Sequence, residues 1–139
     1  MIIKRKTNSM KDIVIYGAGG LGREVACLIK AINDVELKWN LIGFIDDGVS
    51  IGTQISRYGK VLGGKDFLLH MDKSISVVLA IGSPNVVRKI VGDLFNNVNI
   101  DFPNLIYPSL RFADIKTFKL GRGNIIKHDC GFSCDVEIG

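Results

Sequence analysis

Nowhere in its 139 residues does this chain hold an apolar run approaching the roughly 18 residues of a membrane-spanning helix. The first ten residues, MIIKRKTNSM, lack the hydrophobic stretch of a secretion signal. Cysteine is scarce and odd in number. Cys27, Cys130 and Cys134, in a chain without an export signal, read as reduced thiols of a cytoplasmic protein. Histidine is scarcer still, with two in all. His128 stands beside the C-x3-C pair Cys130 and Cys134, but two thiols and one imidazole fall short of a four-ligand zinc site, so no metal is expected. Charge of one sign is also thin. The net charge of +4 owes much to Lys4, Arg5, Lys6 and Lys11, and no basic stripe interleaved with aromatics follows, which argues against nucleic acid as a partner. An apolar share of 47% with 23% charged residues suffices for a packed core and argues against disorder.

What is present is punctuated by glycine. In VIYGAGGLGREVACLI (14–29), an apolar strand runs into Gly17, Gly19 and Gly22 at the spacing G-x-G-x-x-G, and a helical pattern follows through Val25, Leu28, Ile29 and Ile32, stopped at Asn33-Asp34. Backbone N–H groups at such a helix start favour an anion, and glycine lets the chain come close to it. KWNLIGFIDD (38–47) is a second strand closing on Asp46 and Asp47. Residues 48–64 hold five glycines and read as an irregular excursion with a small hairpin, followed by a short helical turn, KDFLLHM. SISVVLAIG (74–82) is a buried strand. SPNVVRKIVGDLF is a helix with Ser83 as N-cap and Pro84 in its first position. NLIYPS is expected as a fourth strand, ended by Pro108. Strands alternating with helices predict an α/β fold with a small Rossmann-like parallel sheet of about four strands. Ligands of such sheets sit beyond the carboxyl ends of the strands, where the glycine turn, Asp46-Asp47 and the AIGS segment (80–83) converge.

After Pro108 the pattern changes. Leu120, Ile126, Phe132 and Ile138 recur every six residues, with Gly121 and Gly139 directly after two of them. Period six is that of a parallel β-helix, in which three hexapeptides make one triangular turn, so residues 120–138 amount to about one coil. One coil does not bury its own faces, and the repeat is expected to be incomplete here. Three parts follow: residues 1–10 as a disordered N-terminal extension, 11–108 as the Rossmann-like domain, and 109–139 as the start of the β-helix.

Together, IVIYGAGGLGREVA, LIGFIDD, VLGG, VVLAIGSPNVVRKI, FPNLIYPS and KLGRGNIIKHDCGFSCDVEIG resemble the NeuD/PglD family of sugar acetyltransferases over residues 11–139. The resemblance implies a Rossmann-like N-terminal domain holding a UDP-sugar or related sugar substrate, joined to a left-handed β-helix. It also implies acetyl-CoA as cofactor, bound between β-helices of a homotrimer. Carried over by position, Gly17, Ala18, Gly19 and Gly20 lie against the diphosphate or sugar. Asp46 and Asp47 face the uridine, and Ile81 and Gly82 line the same crevice. Some relatives carry a histidine in the glycine motif where this chain has Leu21. The pair His128-Asp129 falls one coil before the family's catalytic histidine and is read as surface. On this reading the chain is a substrate-binding portion, inactive alone, that does not hold acetyl-CoA tightly.

Two other readings use the same residues. One is a non-catalytic nucleotide-binding module. The other is an NAD-binding Rossmann domain, for which the glycine turn with an acid downstream is also the fingerprint, although about four strands are few for a full dinucleotide fold. Arg23, Glu24 and Arg88 read as solvated, and Trp39 and Phe44 as packing of the second strand.

Overall fold

A computed structural model describes residues 10–108, 111–112, 119–126, 131–132 and 137–138. The chain alternates β1 (Lys11–Tyr16), α1 (Gly20–Val35), β2 (Trp39–Ile45), β3 (Gln54–Ile55), β4 (Gly59–Gly63), α2 (Lys65–Leu69), β5 (Ile75–Leu79), α3 (Pro84–Leu94) and β6 (Ile100–Asp101). These strands form one sheet in the order β3-β4-β2-β1-β5-β6, parallel throughout except for the antiparallel β3–β4 hairpin. The order reverses between β1 and β5. That reversal is the place where open parallel sheets leave a crevice.

Each strand feeds two cores because its side chains alternate between faces. Ile13 and Ile15 of β1 join Phe44, Val61 and Val78 beneath Val25, Leu28 and Ile29 of α1. Val14 and Tyr16 turn to the other face, with Ile45 and Val77, under Leu68 of α2 and Ile90 and Leu94 of α3. Trp39 and Phe44 are buried, as expected of them. The helix ends follow from local chemistry. Ser83 caps α3 by accepting from the Val86 N–H, with Pro84 next, as the sequence predicts. α1 runs through the expected stop at Asn33-Asp34 to Val35, and from its last turn Asn33 accepts from the N–H groups of Lys38 and Trp39 and donates to the Trp39 carbonyl, which fastens the helix end to the start of β2.

Two expectations about strands are corrected. The glycine-rich excursion forms the expected small hairpin, β3–β4, but its second strand also pairs with β2, so the sheet has six strands where about four are expected. Its glycines hide it from any reading of apolar alternation. The segment NLIYPS does not enter this sheet. The place beside β5 is taken by β6, and Pro103, which lacks an N–H, follows after Phe102. Leu105–Ile106 forms β7, which pairs instead with Ile125–Ile126 (β10). Arg111–Phe112 (β8) pairs with Gly131–Phe132 (β11), and Lys119–Leu120 (β9) with Glu137–Ile138 (β12), all in parallel. β10, β11 and β12 each lie beside the strand three before. Strands β9 to β12 carry the six-residue period. Leu105 is fully buried in the α1-side core, so this second part is anchored on the first.

Two glycines in helices separate close approach from open space. A Cβ on Gly22 of α1 would overlap the Gly17 carbonyl oxygen, which belongs to a turn held from both sides. Gly92 of α3 has nothing within 4 Å of the same position. Gly22→Ala is expected to lower stability by about 2–3 kcal/mol in urea unfolding. Gly92→Ala, in an exposed helix interior, is expected to raise it by about 0.5–1 kcal/mol in the same measurement.

Candidate functional site

The carboxyl ends of β1, β2 and β5 are tied together by backbone and carboxylate bonds. Gly17, at φ 119°, donates its N–H to the Ile45 carbonyl at 2.7 Å. A Cβ there would overlap the Ala80 carbonyl oxygen, and Ala80 N–H donates to the Tyr16 carbonyl at 2.8 Å. Only glycine satisfies both the positive φ and the contact. Ala18 N–H then donates to Asp46 Oδ2 at 2.9 Å, while Asp46 Oδ1 accepts from Gly48 N–H at 2.9 Å. The Asp46 carboxylate therefore holds the glycine turn against the turn that follows β2.

Asp47 makes the same kind of tie on the other face. Its Oδ2 accepts from the Tyr16 hydroxyl at 2.6 Å, and its Oδ1 accepts from the Lys65 N–H at 2.8 Å. A Cβ on Gly64 would overlap Asp47 Oδ1, so the residue before α2 has no room for a side chain. Lys65 Nζ reaches Asp93 of α3 at 2.8 Å. The hydrogen bond from Tyr16, then the Lys65 N–H, holds the Asp47 carboxyl below the ordinary carboxylate range. Burial, with the Asp47 hydrogen bond and charge, pushes the Tyr16 phenol well above its ordinary value. The phenol is thus a fixed donor at neutral pH.

The predicted residues divide accordingly. Ala18 meets Asp46 through a hydrogen bond, and Gly17 bonds to Ile45, the residue before Asp46. Gly19 and Gly20 are exposed at the start of α1, and Gly82 is exposed beyond β5, with nothing within 4 Å of a Cβ on Gly19 or Gly82. Ile81 is half-buried and packs with the α3-side core. Asp46 and Asp47 have intramolecular partners for both carboxylate oxygens, a structural duty that their spacing did not reveal. They also line a hollow of about 590 Å³ together with Leu62, Gly63, Gly64 and Phe67. These four were not singled out as site residues, although VLGG, ending a strand in glycines, carries the signal. His128, Cys130 and Cys134 lie outside the described residues. Among the described residues no cluster of His, Cys, Asp or Glu is arranged to hold a metal, and no helix is long and apolar enough to cross a membrane.

At the mouth of the crevice, α1 begins without a side-chain cap. Its N-cap is Gly19, which offers no side chain, and no acidic residue occupies the first turn. The first N–H groups of a helix lack intrahelical partners and carry partial positive charge, so this end suits an anion.

The Tyr16–Asp47 bond makes a checkable contribution. Tyr16→Phe is expected to cost about 1 kcal/mol at pH 7 by chemical denaturation, at the low end for a charged acceptor because Asp47 faces solvent. The Asp47 pKa is lowered by folding from 3.8, so its contribution is present above that value and lost as pH falls through the folded pKa. The gap between wild type and variant should therefore narrow below about pH 4.

The fold is similar to that of the acetyltransferase domain of PglB from Neisseria gonorrhoeae FA1090. In its complex with acetyl coenzyme A the TM-score is 0.67 at 20% identity, covering 92% of this chain and 61% of that one. For a second structure of the same domain the values are 0.69 and 21%, with 91% and 61% covered. The chain thus spans 61% of the length of those domains. No curated protein matches it. Residues 12–94, well over half of the chain, match the family described as the PglD N-terminal domain. The chain belongs to that family.

Proposed function

We propose that this chain is the substrate-holding N-terminal part of an acetyl-CoA-dependent sugar acetyltransferase. It holds a nucleotide-activated sugar of the UDP class with the diphosphate or sugar at Gly17–Gly20. The region after Pro108 begins a left-handed β-helix. The observation that carries this reading is the uncapped start of α1 at the switch point of the sheet, beside exposed Gly19 and Gly82. Support for the β-helix comes from short parallel strands that pair three apart at a six-residue period. The neighbouring hollow, with Leu62 and Phe67 as apolar wall and glycine backbone beside it, suits a flat base. Asp46 ties the glycine turn instead of standing free, which favours this reading over an NAD site, where the acid after the second strand takes ribose hydroxyls.

In the complete enzyme, proposed to be a cytoplasmic homotrimer, the acceptor amine or hydroxyl attacks the thioester carbonyl. The C–S bond breaks with CoA leaving as the thiol, and a general base contributed outside the described residues takes the acceptor proton. The domain described here binds and orients the sugar. The chain alone is proposed to be inactive and to hold acetyl-CoA weakly.

Thermal-shift measurements with UDP, a UDP-amino sugar, NAD and acetyl-CoA test this. A ligand at about 100 times its dissociation constant adds roughly 2.7 kcal/mol to the folded state. The uridine ligands are expected to raise the melting temperature and acetyl-CoA is not; a shift with NAD alone would overturn the proposal. Gly19→Ala has room for its methyl group and is expected to melt within about 2 °C of wild type. It should lose most of the uridine-dependent shift, because the methyl occupies the anion's approach.

A further inference from the structure

An arginine of α1 is turned back toward the start of its own helix. Arg23 is the fourth residue of α1 and is exposed. Side chains on a helix lean toward its N-terminus, so a long one at this position reaches the first turn. Its Nη2 stands 3.9 Å from where a Cβ on Gly20 would be, and nothing lies within 4 Å of the same point on Gly19. Two glycines thus leave the guanidinium beside the open N–H groups of the first turn with no side chain of theirs between.

That placement is unfavourable for the helix itself. A cation beside a helix N-terminus meets the positive end of the dipole, and α1 has no acidic residue in its first turn to offset it. The ion pairs among the described residues join Lys30 to Asp34, Lys65 to Asp93 and Arg122 to Asp101, and Arg23 takes part in none of them. The Asp46 carboxylate is engaged by the N–H groups of Ala18 and Gly48. It nevertheless adds a negative charge to the glycine turn, which opposes an incoming anion. A guanidinium at the mouth offsets that charge, and its planar fork of N–H donors matches a pair of phosphate oxygens.

A second guanidinium on the same helix provides the contrast. The Tyr58 hydroxyl meets Cys27 Sγ at 2.8 Å, and the Arg57 guanidinium carbon lies 5.0 Å from the centre of the Tyr58 ring. Cys27 is about 10 Å along the helix from Gly20. Arg57 therefore stacks beside the body of α1, and Arg23 beside its start.

We propose that Arg23 makes this a diphosphate site: the N–H groups at the start of α1 take one phosphoryl group, and the Arg23 guanidinium takes its neighbour. This rests on the reading of the glycine turn as an anion site and adds the residue that selects the anion.

Calorimetric titration of the full 139-residue chain with UDP against UMP, and with pyrophosphate against phosphate, tests the proposal in wild type, Arg23→Gln and Arg57→Gln. Each substitution removes one exposed charge and is expected to melt within about 2 °C of wild type. Wild type should bind the diphosphate of each pair at least ~10-fold tighter than the monophosphate, and Arg23→Gln should bring the two within about 2-fold, chiefly by weakening the diphosphate. Arg57→Gln should keep the wild-type ratio. An unchanged ratio in Arg23→Gln would overturn the proposal. An equal loss in Arg57→Gln would do the same, because the preference would then belong to net charge. If neither uridine ligand binds but pyrophosphate keeps an Arg23-dependent preference, the UDP reading falls and the role of Arg23 stands. If UDP binds no tighter than UMP, and pyrophosphate no tighter than phosphate, the role of Arg23 falls and uridine binding stands by itself.

Discussion

At the end of β1 three backbones approach closely enough that no side chain fits between them. Gly17 lies against the Ala80 carbonyl, Gly22 lies against the Gly17 carbonyl, and the Gly17 N–H is bonded to Ile45. This contact sets where α1 starts, and through α1 it sets the whole of one core. It also brings the ends of β2 and β5 to the same point. Had any of the three segments carried a Cβ at the contact, the helix would have to stand farther from the sheet. The crevice at its N-terminus would then lose its backbone floor. Gly19 differs: its surroundings are open, so no contact within the fold requires glycine there.

The two aspartates extend the same contact sideways. Asp46 fastens the turn after β1 to the turn after β2, and Asp47 fastens β1, through Tyr16, to the start of α2. From Lys65 the connection continues to Asp93 on α3. Charged acceptors give stronger hydrogen bonds than neutral ones, which suits short turns with no apolar core of their own. The chain's own hydrogen bonds thus fix the walls of the crevice to one another.

How much of this was legible in the sequence depends on whether the signal was periodic or relational. The apolar runs of β1, β2 and β5 and the capped helix α3 are local patterns, and the structure has them where the residues imply. β4 was legible only as an arm of a small hairpin and not as a strand of the main sheet, because two of its five residues are glycine and its pairing with β2 is decided by a neighbour distant in sequence. NLIYPS has the composition of a strand, but composition does not name its partner; β6, only two residues long, takes the sheet position first. The same limit applies to the site. Gly17 and Asp46 could be read from spacing, whereas the partners of the Asp46 and Asp47 carboxylates could not, because Gly48, Lys65 and Tyr16 meet them only in the folded chain. Ile81, chosen for its place beyond β5, turns into the core because the alternation of that strand continues through it.

The two parts of the described chain are joined by more than the peptide bond. Asn104 accepts from Asn124 N–H and donates to the Gly121 carbonyl, and Leu105 N–H donates to the Asn124 carbonyl. The turn carrying Gly121 to Asn124 is thus fixed to the segment that leaves the sheet, and Arg122 adds an ion pair with Asp101 of β6. That ion pair is solvated and contributes little by itself. The burial of Leu105 beside α1 contributes more, since a side chain of that size is worth about 2 kcal/mol when removed from water. Short two-residue strands have too few bonds to stand alone. Their first turn is held in register by a core that belongs to the sheet domain. The glycine turn and the segment at Leu105 consequently share one element, α1, whose N-terminus follows the turn and whose buried face seats Leu105.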